Sequence, residues 1–332
     1  MWIVYLNDFK KSSKCKPSII YPGYHEFGFN KKIDRPRTYG VTMAYYKDQI
    51  LVCGGNVGTN RDKYSSYKIV ANCYSWHPSQ KIMKTFAKMS LPRSDGLSFT
   101  IDKENFAIFG GTGSNMSLLR SSIDVYSKGE FKLHKESLPA EAAAKLHCIA
   151  SRSELQQVFL VAVNTSVNKS YVYEIDRMSL TSQSLPSPST YIRATPACLL
   201  YVSPTHNTSL LVSAVNEEGI FFTFLFNLIA QAWSQMQISP KRVMPYAHHF
   251  HAVQWRTKIL LFAPTEKSVY EIMPEDNKLS VHSTSVENLR LLSPKFLYIS
   301  RKMADQACEL KKKKPKRLSK AKKKLRRTKE VD

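Results

Sequence analysis

The residues of this chain best suited to chemistry are its cations. A basic residue recurs as Arg37, Arg93, Lys145, Arg193, Arg242 and Arg290, at intervals of 56, 52, 48, 49 and 48 residues. Guanidinium forks meet carboxylates bidentately, and lysine adds a compact point charge. Six such groups carried round one axis would grip an acidic peptide; equally, they could serve as scaffold, bonding carbonyls or carboxylates between structural units. A denser cationic group ends the chain: Lys311, Lys312, Lys313, Lys314, Lys316 and Arg317, then Lys322, Lys323, Lys324, Arg326 and Arg327. This block carries too little apolar surface to join a core and no aromatic ring on which a base would stack. It reads as a nuclear-targeting or anion-binding tail whose contacts with phosphates would weaken with salt.

Other reactive groups point to less. His248, His249 and His251 form the densest set of metal-binding side chains, and His249 with His251 would share one face of a strand. A zinc site usually takes at least three protein ligands, so packed or hydrogen-bonded histidines are expected, with no metal and no cofactor. Gly110-Gly111-Thr112-Gly113-Ser114 has the composition of a phosphate loop, but no helical pattern follows to supply the N-terminus that would hold an anion. It reads as a structural turn. No GxSxG or HExxH run is present, so no catalytic residue is assigned and a non-enzymatic protein is expected.

The elements that must position these residues announce themselves as a repeat. Residues 49–55 and 105–111 are both short apolar runs stopped by paired glycines, Gly54-Gly55 and Gly110-Gly111. Such a run reads as a buried strand followed by a turn. Further apolar runs at 158–164, 209–216 and 258–265 continue the series without the glycines. Each run is followed by a polar loop and a strand around Tyr74, Tyr126, Tyr173, Phe226 or Tyr270, and a strand also precedes each one. In the first three repeats the cation stands 17 residues before the glycine position, at Gly54, Gly110 and Ala162. Four short strands per repeat of about 50 residues define a propeller blade.

The predicted fold is therefore all-β: a six-bladed propeller over 1–300, with a basic tail over 301–332 expected to be disordered. Its blades span roughly 37–92, 93–144, 145–192, 193–241 and 242–289. Residues 290–300 with 1–36 would form the last blade, closed by both termini.

Composition sets the outer limits. The chain has 332 residues, 43% of them apolar, and a formal charge of +23, of which residues 311–332 hold +11. The cysteines (Cys15, Cys53, Cys73, Cys148, Cys198 and Cys308) are scattered without a CxxC pair and are expected to be reduced thiols. The N-terminus lacks a signal-peptide pattern, and the longest apolar segment, 219–233, is interrupted by polar residues. A cytoplasmic or nuclear location with no membrane span is expected.

These features resemble kelch repeats: paired glycines after a buried strand, a tyrosine about 15 residues on, a further aromatic, and the Pro92-Arg93 turn into the next repeat. The match is good in the first two full repeats and thin in the last three. It is similar to the propeller half of BTB-BACK-kelch proteins, whose dimerising and cullin-binding domains are not in this sequence. The resemblance implies a protein-recognition module and, if a longer form carries a BTB domain, the substrate-choosing part of a cullin-3 ubiquitin ligase adaptor. Met1 falls where the family's propeller begins, which leaves a fragment and a stand-alone propeller both open. In the family, residues at the entry to the first strand commonly line the partner face, which makes the six cations the candidate partner contacts. A nuclear, nucleic-acid-associated protein acting through its tail, and an actin-binding scaffold, are the alternative readings. Tail partners would be an import receptor, nucleic acid or an anionic surface.

Overall fold

The computed structural model describes residues 3–4, 38–58, 67–76, 84–114, 122–134, 145–152, 154–164, 167–189, 192, 196–205, 207–216, 218–236, 251–255, 257–263, 268–274, 278–283 and 295–296. These residues form strands and turns and contain no helix.

The chain enters through β1 (Ile3–Val4) and β2 (Thr38–Tyr39), followed by β3 (Thr42–Tyr46) and β4 (Gln49–Cys53). Next come β5 (Asn56–Gly58), β6 (Tyr67–Ile69), β7 (Asn72–Trp76) and β8 (Lys84–Lys88). Strands β3, β4, β7 and β8 pair antiparallel as the first four-stranded sheet, while β5 and β6 join β2 in a small side sheet. The second sheet holds β9 (Leu97–Thr100), β10 (Phe106–Phe109), β11 (Ile123–Ser127) and β12 (Glu130–His134). The third holds β13 (Lys145–Ser151), β14 (Gln157–Asn164), β15 (Lys169–Asp176) and β16 (Ser182–Leu185). The fourth is β17 (Ala197–Val202), β18 (Thr208–Val215), β19 (Phe221–Asn227) and β20 (Ala232–Gln235). The fifth is β21 (His251–Trp255), β22 (Lys258–Ala263), β23 (Ser268–Met273) and β24 (Lys278–Ser283).

Burial across each sheet explains the sequence pattern. Second strands are apolar at successive positions, as in the Phe-Ala-Ile-Phe of β10, because both of their faces are covered. Fourth strands, such as Lys-Thr-Phe-Ala-Lys in β8, are largely exposed because they lie at the rim. Alternate residues of a second strand therefore belong to different cores. Phe106 and Ile108 pack with the first sheet, whereas Ala107 and Phe109 pack with the third. Phe159, Val161 and Val163 of β14 likewise meet Leu210, Val212 and Ala214 of β18. Leu211 and Val215 turn the other way, toward Ile259 and Leu261 of the fifth sheet.

Successive sheets are thus stacked in chain order, and their first strands adjoin one another: β3 with β9, β9 with β13, β13 with β17, and β17 with β21. This is a propeller-like arrangement. Tight two-residue turns with positive φ at Lys47 and Asp48, and at Lys128 and Gly129, join consecutive strands with the twist that antiparallel hairpins favour.

Of the segments expected to share the last blade and of the tail, 1–36 and 290–332, only 3–4 and 295–296 are among the described residues. There β1 pairs in parallel with β25 (Lys295–Phe296). One expectation needs correction: the cysteines differ from the reduced thiols expected. Cys53 and Cys73 face each other across β4 and β7 and form a disulfide, and a second bridge joins Cys148 on β13 to Cys198 on β17. Strand pairing brings together the first two cysteines, 20 residues apart, and the adjoining of the third and fourth sheets brings together the second two, 50 apart, which linear spacing could not reveal. Cys15 and Cys308 lie outside the described residues.

Candidate partner-binding site

Arg93 is the one cation of the ladder whose side chain is described, and it is not on a surface: its accessible fraction is 0%. Its guanidinium donates from Nη1 to the carbonyls of Gly110 (2.6 Å) and Ser122 (3.2 Å). Nη2 donates to Ser122 Oγ at 3.4 Å and forms an ion pair with the Asp124 carboxylate, itself fully buried. Asp124 Oδ1 also accepts from the backbone N–H of Ser90 at 2.9 Å. Burial pulls the Arg93 pKa below its ordinary value, and Asp124 opposes that pull. A guanidinium remains charged in proteins, so the interior holds a compensated ion pair.

The main chain of Arg93 ties the other side. Its carbonyl accepts from Gly55 N–H at 2.8 Å, and a Cβ on Gly54 (φ +68°) would stand 2.1 Å from that oxygen. Ser94 and Thr112 exchange backbone hydrogen bonds at 2.8 and 2.7 Å, and a Cβ on Gly111 (φ +91°) would meet the Ser94 carbonyl at 2.5 Å. Both glycine pairs and the cation therefore belong to one junction. Backbone links it to the first sheet and guanidinium to the second. Only glycine combines this φ with so close an approach.

The proposal that six cations face a mouth is thus corrected for Arg93, whose charge is consumed inside the scaffold. Lys145 opens β13, and its side chain lies outside the described set, as do Arg37, Arg193, Arg242 and Arg290, His248 and His249, and the tail from Lys311 to Arg327. His251 stands in β21. Among the described residues no group of three or more histidines, cysteines and carboxylates converges. Gly110 to Gly113 turn directly from β10, and no helix N-terminus lies among the described residues beside them.

Two residues that sequence reasoning did not single out share this interior chemistry. Asp124 occupies the position that Tyr74 holds in the first sheet, two residues beyond the carbonyl that accepts from the glycine N–H. A carboxylate between Ile123 and Val125 in a buried strand was the available signal. Arg177, 7% exposed, donates to the carbonyls of Thr100 (2.7 Å) and Arg152, joining the β15–β16 turn to the second sheet.

A groove of about 470 Å³ opens between the third and fourth sheets, near β16 and the β19–β20 turn. Its apolar wall includes Leu185, Phe226, Leu228 and Ile229, and its polar wall includes Glu174 and Gln183. Trp233 Nε1 donates to the Pro186 carbonyl at 2.7 Å, fixing one wall against the other.

Fold and junction define an all-β, propeller-like protein. No family model matches the chain, and no curated protein matches it. A solved structure described as "Structure of YjhT" superimposes with a TM-score of 0.53 at 10% identity, over 74% of this chain and 84% of that one. The likeness is one of fold.

Proposed function

We propose that the chain is a six-bladed kelch-type propeller acting as a non-enzymatic protein-recognition module. The observation that carries the reading is the serial stacking of four-stranded sheets with adjoining first strands, the first two of them joined at paired glycines and a buried arginine. Propellers of this construction present loops at the two ends of the stack, where specificity varies without disturbing the core. The termini-sharing pair β1–β25 supports a sixth unit between the fifth and first sheets.

The partner is an acidic protein segment, held at the loop-bearing end by cations other than Arg93, with Arg37, Lys145, Arg193, Arg242 and Arg290 as candidates. In a longer form with a BTB domain this end would choose the substrate of a cullin-3 ligase. The tail adds nuclear import or tethering to an anionic surface. The experiment is selection of acidic peptides from a displayed library on the immobilised full chain. A shared motif that still binds in 300 mM salt and is lost on charge reversal of Arg37 and Arg193 is the expected result. Binding that follows the isolated tail and vanishes with salt would instead favour the nucleic-acid reading, and no enrichment would overturn the recognition reading.

A further inference from the structure

The open edges of the sheets are not alike. Unpaired strand edges invite addition of another strand, and proteins commonly guard them with lysine or proline. Strand β8 carries Lys84 and Lys88, β12 carries Glu130 and Lys132, and β24 carries Lys278 and His282. Strands β20, Ala-Trp-Ser-Gln, and β16, Ser-Gln-Ser-Leu, both lack charge and proline; of the two it is β16 that supplies residues, Gln183 and Leu185, to the groove lining, and among the described strands it pairs with β15 alone.

This undefended edge borders the groove between the third and fourth sheets. Phe159, Glu174 and Gln183 form one row across β14, β15 and β16, and Gln183 Nε2 donates to Glu174 Oε2 at 3.1 Å. Leu185 lies two residues along on the same face and lines the groove with Leu228 and Ile229. Ile229 is 86% exposed, the largest value among the exposed large apolar residues described. Among the residues lining the groove, Glu174 is the sole charged one. The groove also lies at the starting ends of β14 and β18, whereas the paired glycines follow the finishing ends of β4 and β10.

We infer that the β16 edge and this groove form a second docking site, for an extended peptide that adds as a fifth strand to the third sheet. Its main chain completes the hydrogen bonds of β16, in the strand-addition mode of recognition. A Lys or Arg on the groove side reaches along the Gln183 row to Glu174, and an apolar residue two positions away meets Leu185 and Leu228. One cation is the fitting number, because a chain of net charge +23 repels a basic run. The site does not depend on the acidic-partner reading, which concerns the other end of the sheets.

The probe is a fluorescein-labelled, end-capped peptide, Thr-Lys-Thr-Leu-Thr-Val-Thr, titrated with the full chain by anisotropy. Saturable binding is expected, with affinity reduced at least tenfold by N-methylation of alternate peptide amides, by replacing the peptide's lysine with glutamate, and by Glu174→Lys in the protein. Because the first two changes leave the protein untouched, a folding defect cannot mimic them. Amide exchange of residues 182–185 should slow on binding. Absence of binding, equal binding of the N-methylated peptide, or protection confined to other strands would each overturn the proposal.

Discussion

Arg93 shows what a single side chain does in this protein. Taking a guanidinium and a carboxylate out of water is costly, and the cost is offset only when the pair is close and its remaining valences are filled. The carbonyls of Gly110 and Ser122 and the N–H of Ser90 fill most of them, and Arg93 Nε is left buried without a hydrogen-bond partner. Removing one partner leaves a buried unpaired charge, so Arg93→Ala and Asp124→Ala should each destabilise by about 3–5 kcal/mol. The double substitution should cost less than their sum, as a urea-denaturation cycle would show. Gly54→Ala belongs to the same junction: its methyl would meet the Arg93 carbonyl, so a loss of several kcal/mol, larger than the ~1 kcal/mol of ordinary backbone effects, is expected in the same measurement. A loss below 1 kcal/mol would mean that the two sheets do not approach as described.

At the scale of the element, turns and strand faces carry the specificity. The β15–β16 turn is organised by Asp176, whose Oδ1 accepts from Met178 N–H (3.0 Å), Ser179 N–H (2.8 Å) and Ser179 Oγ (2.9 Å). These bonds, led by those from Ser179, hold its pKa below the ordinary carboxylate value. A group depressed in the folded state stabilises fully above its unfolded pKa, and that contribution disappears as pH falls through the folded value. Asp176→Asn should therefore lower stability at pH 7, and the gap to the parent chain should close below about pH 4, as urea midpoints at several pH values would reveal. Among the strands, Ile108 is fully buried against the first sheet. Ile108→Ala should cost about 2–5 kcal/mol by lost transfer energy and a residual cavity.

At the scale of the whole molecule, the sheets depend on one another. Each interior cluster spans two successive sheets, so unfolding should be cooperative. The Cys148–Cys198 bridge crosses such a boundary, whereas Cys53–Cys73 lies within one sheet. Chain-entropy reasoning assigns roughly 4 and 3 kcal/mol to loops of these lengths. Reduction with a dithiol should lower the melting temperature, and Cys148→Ser with Cys198→Ser should remove more of the response than the other pair. Disulfides persist in oxidising compartments, so alkylation trapping at lysis also tests the proposed nuclear or cytoplasmic location. Deleting residues 311–332 from a fluorescent fusion should lower its nuclear fraction; an unchanged fraction would remove import from the tail's roles.

The strand framework was legible from residue order. The apolar runs anticipate β4, β10, β14, β18 and β22, and Tyr74, Tyr126, Tyr173, Phe226 and Tyr270 fall in β7, β11, β15, β19 and β23. This succeeds because a strand buried on both faces needs consecutive apolar residues, a local property. The side sheet of β2, β5 and β6 was not legible, since its short strands bear no such run. Whether a cation faces solvent or a buried carboxylate depends on a partner 31 residues away, as with Arg93 and Asp124. Cysteine pairing and the undefended β16 edge likewise arise from the packing of separate strands. Residue order by itself determined the repeat and its buried strands through local hydrophobicity and turn sterics; tertiary structure alone decided which charges were neutralised and which surfaces were left open.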